Sequence, residues 1–188
     1  LIPRPATEGL IDLTLDFLNT GTEEVRELDT DVIGFSQCLW DRGSGIGDRQ
    51  SVSHVVDIGT GSGCIAITLA LELPDLSITT TDISADALDV ARSNAEYHKV
   101  TDRIDFREGD LLNPIQDLAE PFIIVSNPPY IPNGDQLMPD VAEFEPGLAL
   151  WGGVDGSDVV QNIVQQANEH PFCQGLVIEC RKTQFEQS

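Results

Sequence analysis

Between His54 and Glu179 short runs of β-formers alternate with stretches of helical periodicity, and that alternation restricts the chain to one architecture. "HVVDIG", "SITTTDI", "RIDFREGD", "FIIVSN" and "GLVIE" read as strands, and "CIAITLALEL", "SADALDVARSNAEYHK" and "GSDVVQNIVQQANEH" as helices. Pro74 and Pro171 stop two of the helices, and Ser84 is placed to cap the third. Strands joined through helices form right-handed units, so the segments predict a doubly wound α/β domain with a mostly parallel sheet covered on both faces. Upstream, Leu10, Ile11, Leu15 and Leu18 fall at helical spacing and predict an amphipathic helix over residues 8–18. Residues 19–53 carry few apolar anchors apart from "VIGFSQCLW" at residues 32–40, which is expected to be a helix or helical turn inside a mobile region.

The 188 residues, 40% of them apolar, suit one domain with a real core. No apolar run approaches the roughly 20 residues of a membrane span, and no signal peptide marks the start, so a soluble intracellular setting is expected. A chain that begins at Leu1 with its single methionine at Met138 also reads as cut from something longer. Cys38, Cys64, Cys173 and Cys180 show neither a C-x-x-C pair nor metal spacing, so reduced structural thiols and no metal are expected. The formal charge of -22 repels phosphate backbones, which argues against a nucleic-acid partner.

"VVDIGTGSGCIA" sets Gly59, Gly61 and Gly63 directly after a strand and before a helix, where such folds bind ligands. The spacing excludes a dinucleotide fingerprint, because Cys64 stands where its last glycine would be, and no G-K-[ST] follows for a Walker loop. Asp82 ends the next strand about 20 residues on, the place of an acid that accepts from ribose hydroxyls. Glycines and acid together fit a nucleoside ligand without a pyrophosphate, of which S-adenosylmethionine is the common one. Each feature also has a plain structural reading, a tight turn for the glycines and a helix cap for Asp82. Asp110 and Leu111, after the third strand, would flank an adenine or simply form a strand-end turn.

"FIIVSNPPYIP" ends its strand abruptly, since Pro128 and Pro129 donate nothing to a ladder. Both Asn127 and Pro128 precede a proline and are pushed toward extended angles. The turn presents two acceptors, the Asn127 side-chain oxygen and the Pro128 carbonyl, to an incoming NH2 group, with Tyr130 as a flat face. A planar amide or aromatic amine is a poor nucleophile because its lone pair is delocalised. Two hydrogen bonds to its protons aim the lone pair at a sulfonium methyl and follow the charge that develops on nitrogen. Orientation can recover roughly 7 to 11 kcal/mol of barrier, and an acceptor on a developing charge adds about 1.5 to 3 kcal/mol.

"LIPRPATE", "DIGTGSGCIAI", "TDIS", "SNPPYIP" and "FEPGLALWGGVDG" in this order resemble the HemK/PrmC family, the release factor glutamine methyltransferases. The resemblance implies a Rossmann-like class I methyltransferase fold, and a chain ending at Ser188 would be expected to lack its terminal antiparallel hairpin. It implies a helical segment and variable linker over residues 1–53 and a catalytic domain over 54–188. The implied activity is methylation, from S-adenosylmethionine with S-adenosylhomocysteine as product, of the glutamine amide in the Gly-Gly-Gln loop of a peptide chain release factor. By motif position Gly59, Thr60, Gly61, Ser62, Gly63, Asp82, Asp110, Leu111 and Asn127 would line the cofactor. Asn127, Pro128, Pro129 and Tyr130 would hold the glutamine, and Asn127, Pro128 and Tyr130 would serve catalysis. Arg4, Glu8, Glu145 and Pro146 are implied as support.

The chain departs from the family at Ala6, where Asp or Glu is usual, in the length of residues 19–53, and near Leu111, where an aromatic is often found. The family's N-terminal helical domain lies outside this sequence, and a protein that ended where the sequence does would be expected to have reduced substrate affinity and stability. A monomer in the cytoplasm or mitochondrial matrix, acting on protein rather than nucleic acid or membrane, is the resulting expectation. Two alternatives stand beside it: an adenine-amine methyltransferase acting on a flipped base, and a catalytically silent partner subunit that keeps the cofactor fold.

Overall fold

The computed structural model describes residues 5–20, 35–39, 52–137, 143, 146–181 and 184. Its chain order is helix α1 (Pro5–Thr20), strand β1 (Phe35–Leu39), β2 (His54–Ile58), α2 (Cys64–Glu72), β3 (Ser77–Asp82), α3 (Ala85–His98), β4 (Ile104–Glu108), β5 (Phe122–Ser126), α4 (Asp158–Glu169) and β6 (Cys173–Cys180). Six strands form one sheet in the order β1-β6-β5-β2-β3-β4, all parallel except β1, which runs antiparallel to β6. This is the doubly wound α/β architecture expected, with one correction. Residues 35–39, expected to be helical, form β1, whose Phe35 lies opposite Cys180 and Leu39 opposite Leu176. An open strand edge offers a row of unpaired N–H and C=O groups, and a short segment with weak local preference is captured by such an edge. The rest of residues 19–53, apart from the end of α1 and Val52 and Ser53, lies outside the described residues.

Both faces of the sheet are covered, which is why the central strand β5 reads as a nearly unbroken apolar run. Val55, Ile123, Val125 and Val177 pack on one face with Leu10, Ile11 and Leu13 of α1 and Ile65, Ala66 and Leu69 of α2. Val56, Phe122, Ile124, Leu176 and Ile178, their neighbours along the same strands, pack on the other with Val160, Ile163 and Ala167 of α4. The alternation follows from side chains pointing to opposite faces at successive strand positions. No helix among the described residues is long and apolar enough to cross a membrane.

From β2 the chain winds one way through β3 to β4, then crosses to β5 on the opposite flank of β2. The carboxyl ends of β2 and β5 therefore bound the crevice where the winding reverses, the ligand position of open α/β sheets.

Candidate active site

Register decides what meets at that crevice. Ile58 is paired with Ser126 of β5 and with Thr81 of β3, so the next residues, Asn127, Gly59 and Asp82, emerge side by side at one edge. Ser126 Oγ donates to the Ile58 carbonyl at 2.8 Å, closing the β2–β5 side. Gly59 and Thr60 N–H groups both donate to the Thr81 carbonyl, at 2.8 and 3.1 Å, closing the β2–β3 side.

The three glycines have separate reasons to be there. Gly59 and Gly61 have φ of 70° and 55°, and a Cβ on either would meet nothing within 4 Å, so this backbone faces open space that a ligand can approach. Gly63, φ 81°, instead sits against α3, where a Cβ would lie 3.1 Å from Ala91 Cβ and from Ile67 Cδ1. The Ser62 carbonyl accepts from Asn94 Nδ2 at 2.9 Å, so α3 also holds the loop.

Asp82 is built into the loop. Its Oδ2 accepts from Gly61 N–H and its Oδ1 from Ser84 N–H, each at 2.9 Å, which orients the carboxylate while each oxygen retains a lone pair for another donor. The cap of α3 is Ser84, whose hydroxyl accepts from Ala87 N–H at 3.2 Å, so Asp82 is left to the loop. Asp110 is exposed and Leu111 half-buried after β4. Leu111 has φ 49°, a rare conformation for a residue with a side chain, and its carbonyl accepts from Thr81 Oγ1 at 3.0 Å.

Asn127 is half-buried and Pro128 buried. Asn127 Nδ2 donates to Thr7 Oγ1 of α1 at 3.1 Å. Among the described residues nothing donates to Asn127 Oδ1 or to the Pro128 carbonyl, the two acceptors expected from the sequence. Tyr130 is fastened at both ends: its hydroxyl donates to Glu179 Oε1 at 2.8 Å, and its carbonyl accepts from Gln184 Nε2 at 2.8 Å. Behind the loop, Ile131 pairs with Trp151, its N–H donating to the Leu150 carbonyl and its carbonyl accepting from Gly152 N–H. The "WGGVDG" segment is thus the wall on which the Asn127–Tyr130 turn rests. Pro146, carried over from the resemblance as support, is exposed before that wall, and Glu8 is exposed on α1. Arg4 and Glu145 lie outside the described residues.

Thr7, Glu179, Asn94, Gln184 and Asp57 are the site residues that sequence reasoning passed over. Asp57 and Glu179 did leave a signal, an acid within an otherwise apolar strand run. Glu179 is 1% exposed at the end of β6. Asp57 is fully buried at the end of β2, its Oδ2 accepting from Thr60 Oγ1 at 2.6 Å. Burial pushes the Asp57 carboxyl from 3.8 up to about 7, against the opposing hydrogen bonds from Thr60 and Ala66.

The raised value has a consequence for stability. The unfolded chain releases this proton near 3.8 and the native protein near 7, so between those values the native state holds more protons. Stability contributed by this group therefore falls as pH rises through that window and stays constant above it. Asp57→Asn removes the effect. Its stability relative to wild type, measured by urea unfolding, is expected to be about 2 to 3 kcal/mol more favourable at pH 8 than at pH 5. An equal difference at the two pH values would show that the carboxylate ionises in the fold without cost.

Residues 35–143 match the family described as Methyltransferase small domain. The chain is 45% identical over 169 residues to a release factor glutamine methyltransferase of Bacillus anthracis, covering 88% of this chain and 50% of that protein. It is 41% identical over 129 residues to a ribosomal protein uL3 glutamine methyltransferase of Bradyrhizobium diazoefficiens, covering 68% and 40%. The chain spans about half the length of the curated relatives it matches. Among solved structures, the hMettl16 catalytic domain in complex with the MAT2A 3′UTR hairpin 6 superposes over 100% of this chain and 61% of its own, with a TM-score of 0.62 at 16% identity, a likeness of fold alone.

Proposed function

The chain belongs to the methyltransferase small-domain family, and from that premise we propose that it methylates the side-chain amide of the glutamine in the Gly-Gly-Gln loop of a peptide chain release factor. The observation that carries this reading is the pair of acceptors, Asn127 Oδ1 and the Pro128 carbonyl, to which nothing donates among the described residues, held beside an open glycine loop at the switch point of the sheet.

The residues fit S-adenosylmethionine. Gly59 and Gly61 leave room for close approach of its methionine part, and the Asp82 carboxylate, fixed by Gly61 and Ser84, keeps lone pairs for ribose hydroxyls. Asp110 and Leu111 complete the adenine side in this reading. When bound, the cofactor supplies an electrophilic methyl group and leaves as S-adenosylhomocysteine. Asn127 Oδ1 and the Pro128 carbonyl accept the two amide protons of the glutamine, and the Tyr130 ring bounds its plane. The nitrogen lone pair then points along the line of transfer, and the acceptors stabilise the positive charge that forms on nitrogen. No base is needed beforehand, because the nitrogen becomes strongly acidic only once alkylated, and it then loses its extra proton to water.

Release factor glutamine methyltransferases up to 45% identical over 88% of the chain support the substrate class. A formal charge of -22 disfavours the adenine-amine alternative on nucleic acid. The uL3 relative supports a second reading, a glutamine of a ribosomal protein, with the same chemistry.

The test is methyl transfer from labelled S-adenosylmethionine to a release factor, to the same factor with the Gly-Gly-Gln glutamine changed to alanine, and to ribosomal protein uL3. Label on the unmodified factor alone is the expected result. Label on uL3 alone moves the substrate to the second reading, and cofactor binding with no label on any protein supports the silent-subunit alternative.

A further inference from the structure

Asn127 carries a carboxamide, a side chain with one accepting and one donating end of almost equal size. Turned by half a rotation, it would offer N–H groups to the crevice and oppose, rather than accept, an incoming NH2. Shape does not choose between the two orientations, and a hydroxyl can serve either, because it both donates and accepts. What such a contact does fix is the side-chain torsion, and it comes from far away in sequence: Asn127 Nδ2 donates to Thr7 Oγ1 at 3.1 Å, across 120 positions.

Thr7 is itself held in place. It is 8% exposed, on the first turns of α1, and Leu10, Ile11 and Leu13 of that helix are buried in the same core as Val55 and Ile65, which flank the glycine loop in sequence. The hydroxyl is therefore a fixed acceptor supplied by the N-terminal helix to a turn on the far side of the chain. Pro128 and Pro129 restrict the backbone of that turn but leave the Asn127 side-chain torsions free, so the prolines alone do not complete the geometry.

We infer that Thr7 is a positioning residue that pins the Asn127 carboxamide at the crevice, and so holds its oxygen within reach of the N–H groups of a methyl acceptor. The inference rests on the amide-methylating reading above. Thr7 touches neither substrate nor cofactor in this role and acts through Asn127.

Thr7→Val keeps the volume and removes the hydroxyl, whereas Thr7→Ser keeps the hydroxyl. Single-turnover methyl transfer to the release factor is expected to fall on the order of ten- to a hundred-fold in Thr7→Val, as for a reactant held in the wrong orientation. Thr7→Ser is expected to stay within about threefold of wild type, and cofactor affinity to be unchanged in both, which separates a chemical-step effect from a binding one. The side-chain NH2 signal of Asn127 in an NMR spectrum should shift in Thr7→Val and not in Thr7→Ser. Wild-type rate in Thr7→Val, or equal losses in both variants, would overturn the assignment and leave Thr7 a packing residue. Should the wild type label no protein, the proposed function fails, and the NMR comparison still decides: an Asn127 signal indifferent to Thr7→Val overturns the contact.

Discussion

Asn127→Ala is expected to slow methyl transfer on the order of a thousandfold, while cofactor affinity changes by less than about tenfold, because the variant loses an interaction made in the transition state. The magnitude can be built from its parts. An acceptor bonded to a developing charge is worth about 1.5 to 3 kcal/mol. A glutamine amide gripped only by the Pro128 carbonyl also loses part of the roughly 7 to 11 kcal/mol that orientation supplies. A combined loss near 4 kcal/mol corresponds to about three factors of ten. The cofactor side should survive, since Gly61 and Asp82 are bonded to each other and the Gly59 and Thr60 N–H groups to Thr81, none of them through Asn127. Single-turnover rates with labelled cofactor, beside equilibrium binding of the same cofactor, separate the two quantities. A loss of less than about tenfold in rate would mean that the substrate amide is oriented elsewhere, and that the placing of the Asn127 oxygen is incidental.

That prediction was largely legible in the sequence, because a turn rich in glycine or proline announces itself wherever it occurs. The β2 loop, Asp82 and the Asn127–Tyr130 turn were identified from residue type and spacing, and the parallel register then brings Asn127, Gly59 and Asp82 to one edge. Contacts between distant segments were not legible. Nothing local to Thr7 or Glu179 says that one will hold Asn127 and the other Tyr130, because those pairings exist only after α1 and β6 have packed. The same limit explains β1. Its five residues have no strong preference of their own, and the edge of β6 supplies the ladder that makes them a strand. The motif around Gly152 is visible in the sequence, yet the wall it forms behind the Asn127–Tyr130 turn is visible only in the fold.

Gly152→Ala tests that wall. A Cβ on Gly152 would lie 2.5 Å from the Gly156 carbonyl oxygen, 2.6 Å from the Pro129 oxygen and 2.9 Å from Tyr130 Cα. All three are backbone atoms, so no flexible side chain can swing away, and either the 150–156 segment or the Pro129–Tyr130 backbone must move. The Ile131–Trp151 pairing and the Gln184 side chain, whose Nε2 donates to both the Tyr130 and the Asp155 carbonyls, tie the two segments together, so movement of one strains the other. Overpacking of this kind costs about 1 to 3 kcal/mol of stability. A displacement near 1 Å in the turn costs on the order of a hundredfold in rate. Gly134→Ala is the matching control, for Gly134 lies in the segment that continues from the same turn, with φ 92° and open space around its Cβ position. It should lose only the roughly 1 kcal/mol of a left-handed backbone and keep its methyl-transfer rate. Thermal unfolding and single-turnover rates on both variants give the comparison. Equal behaviour of the two would show that the turn does not rest on Gly152, whereas a rate loss confined to Gly152→Ala would place the backing of Pro129 and Tyr130 within the catalytic machinery, although no residue of that wall needs to touch the substrate.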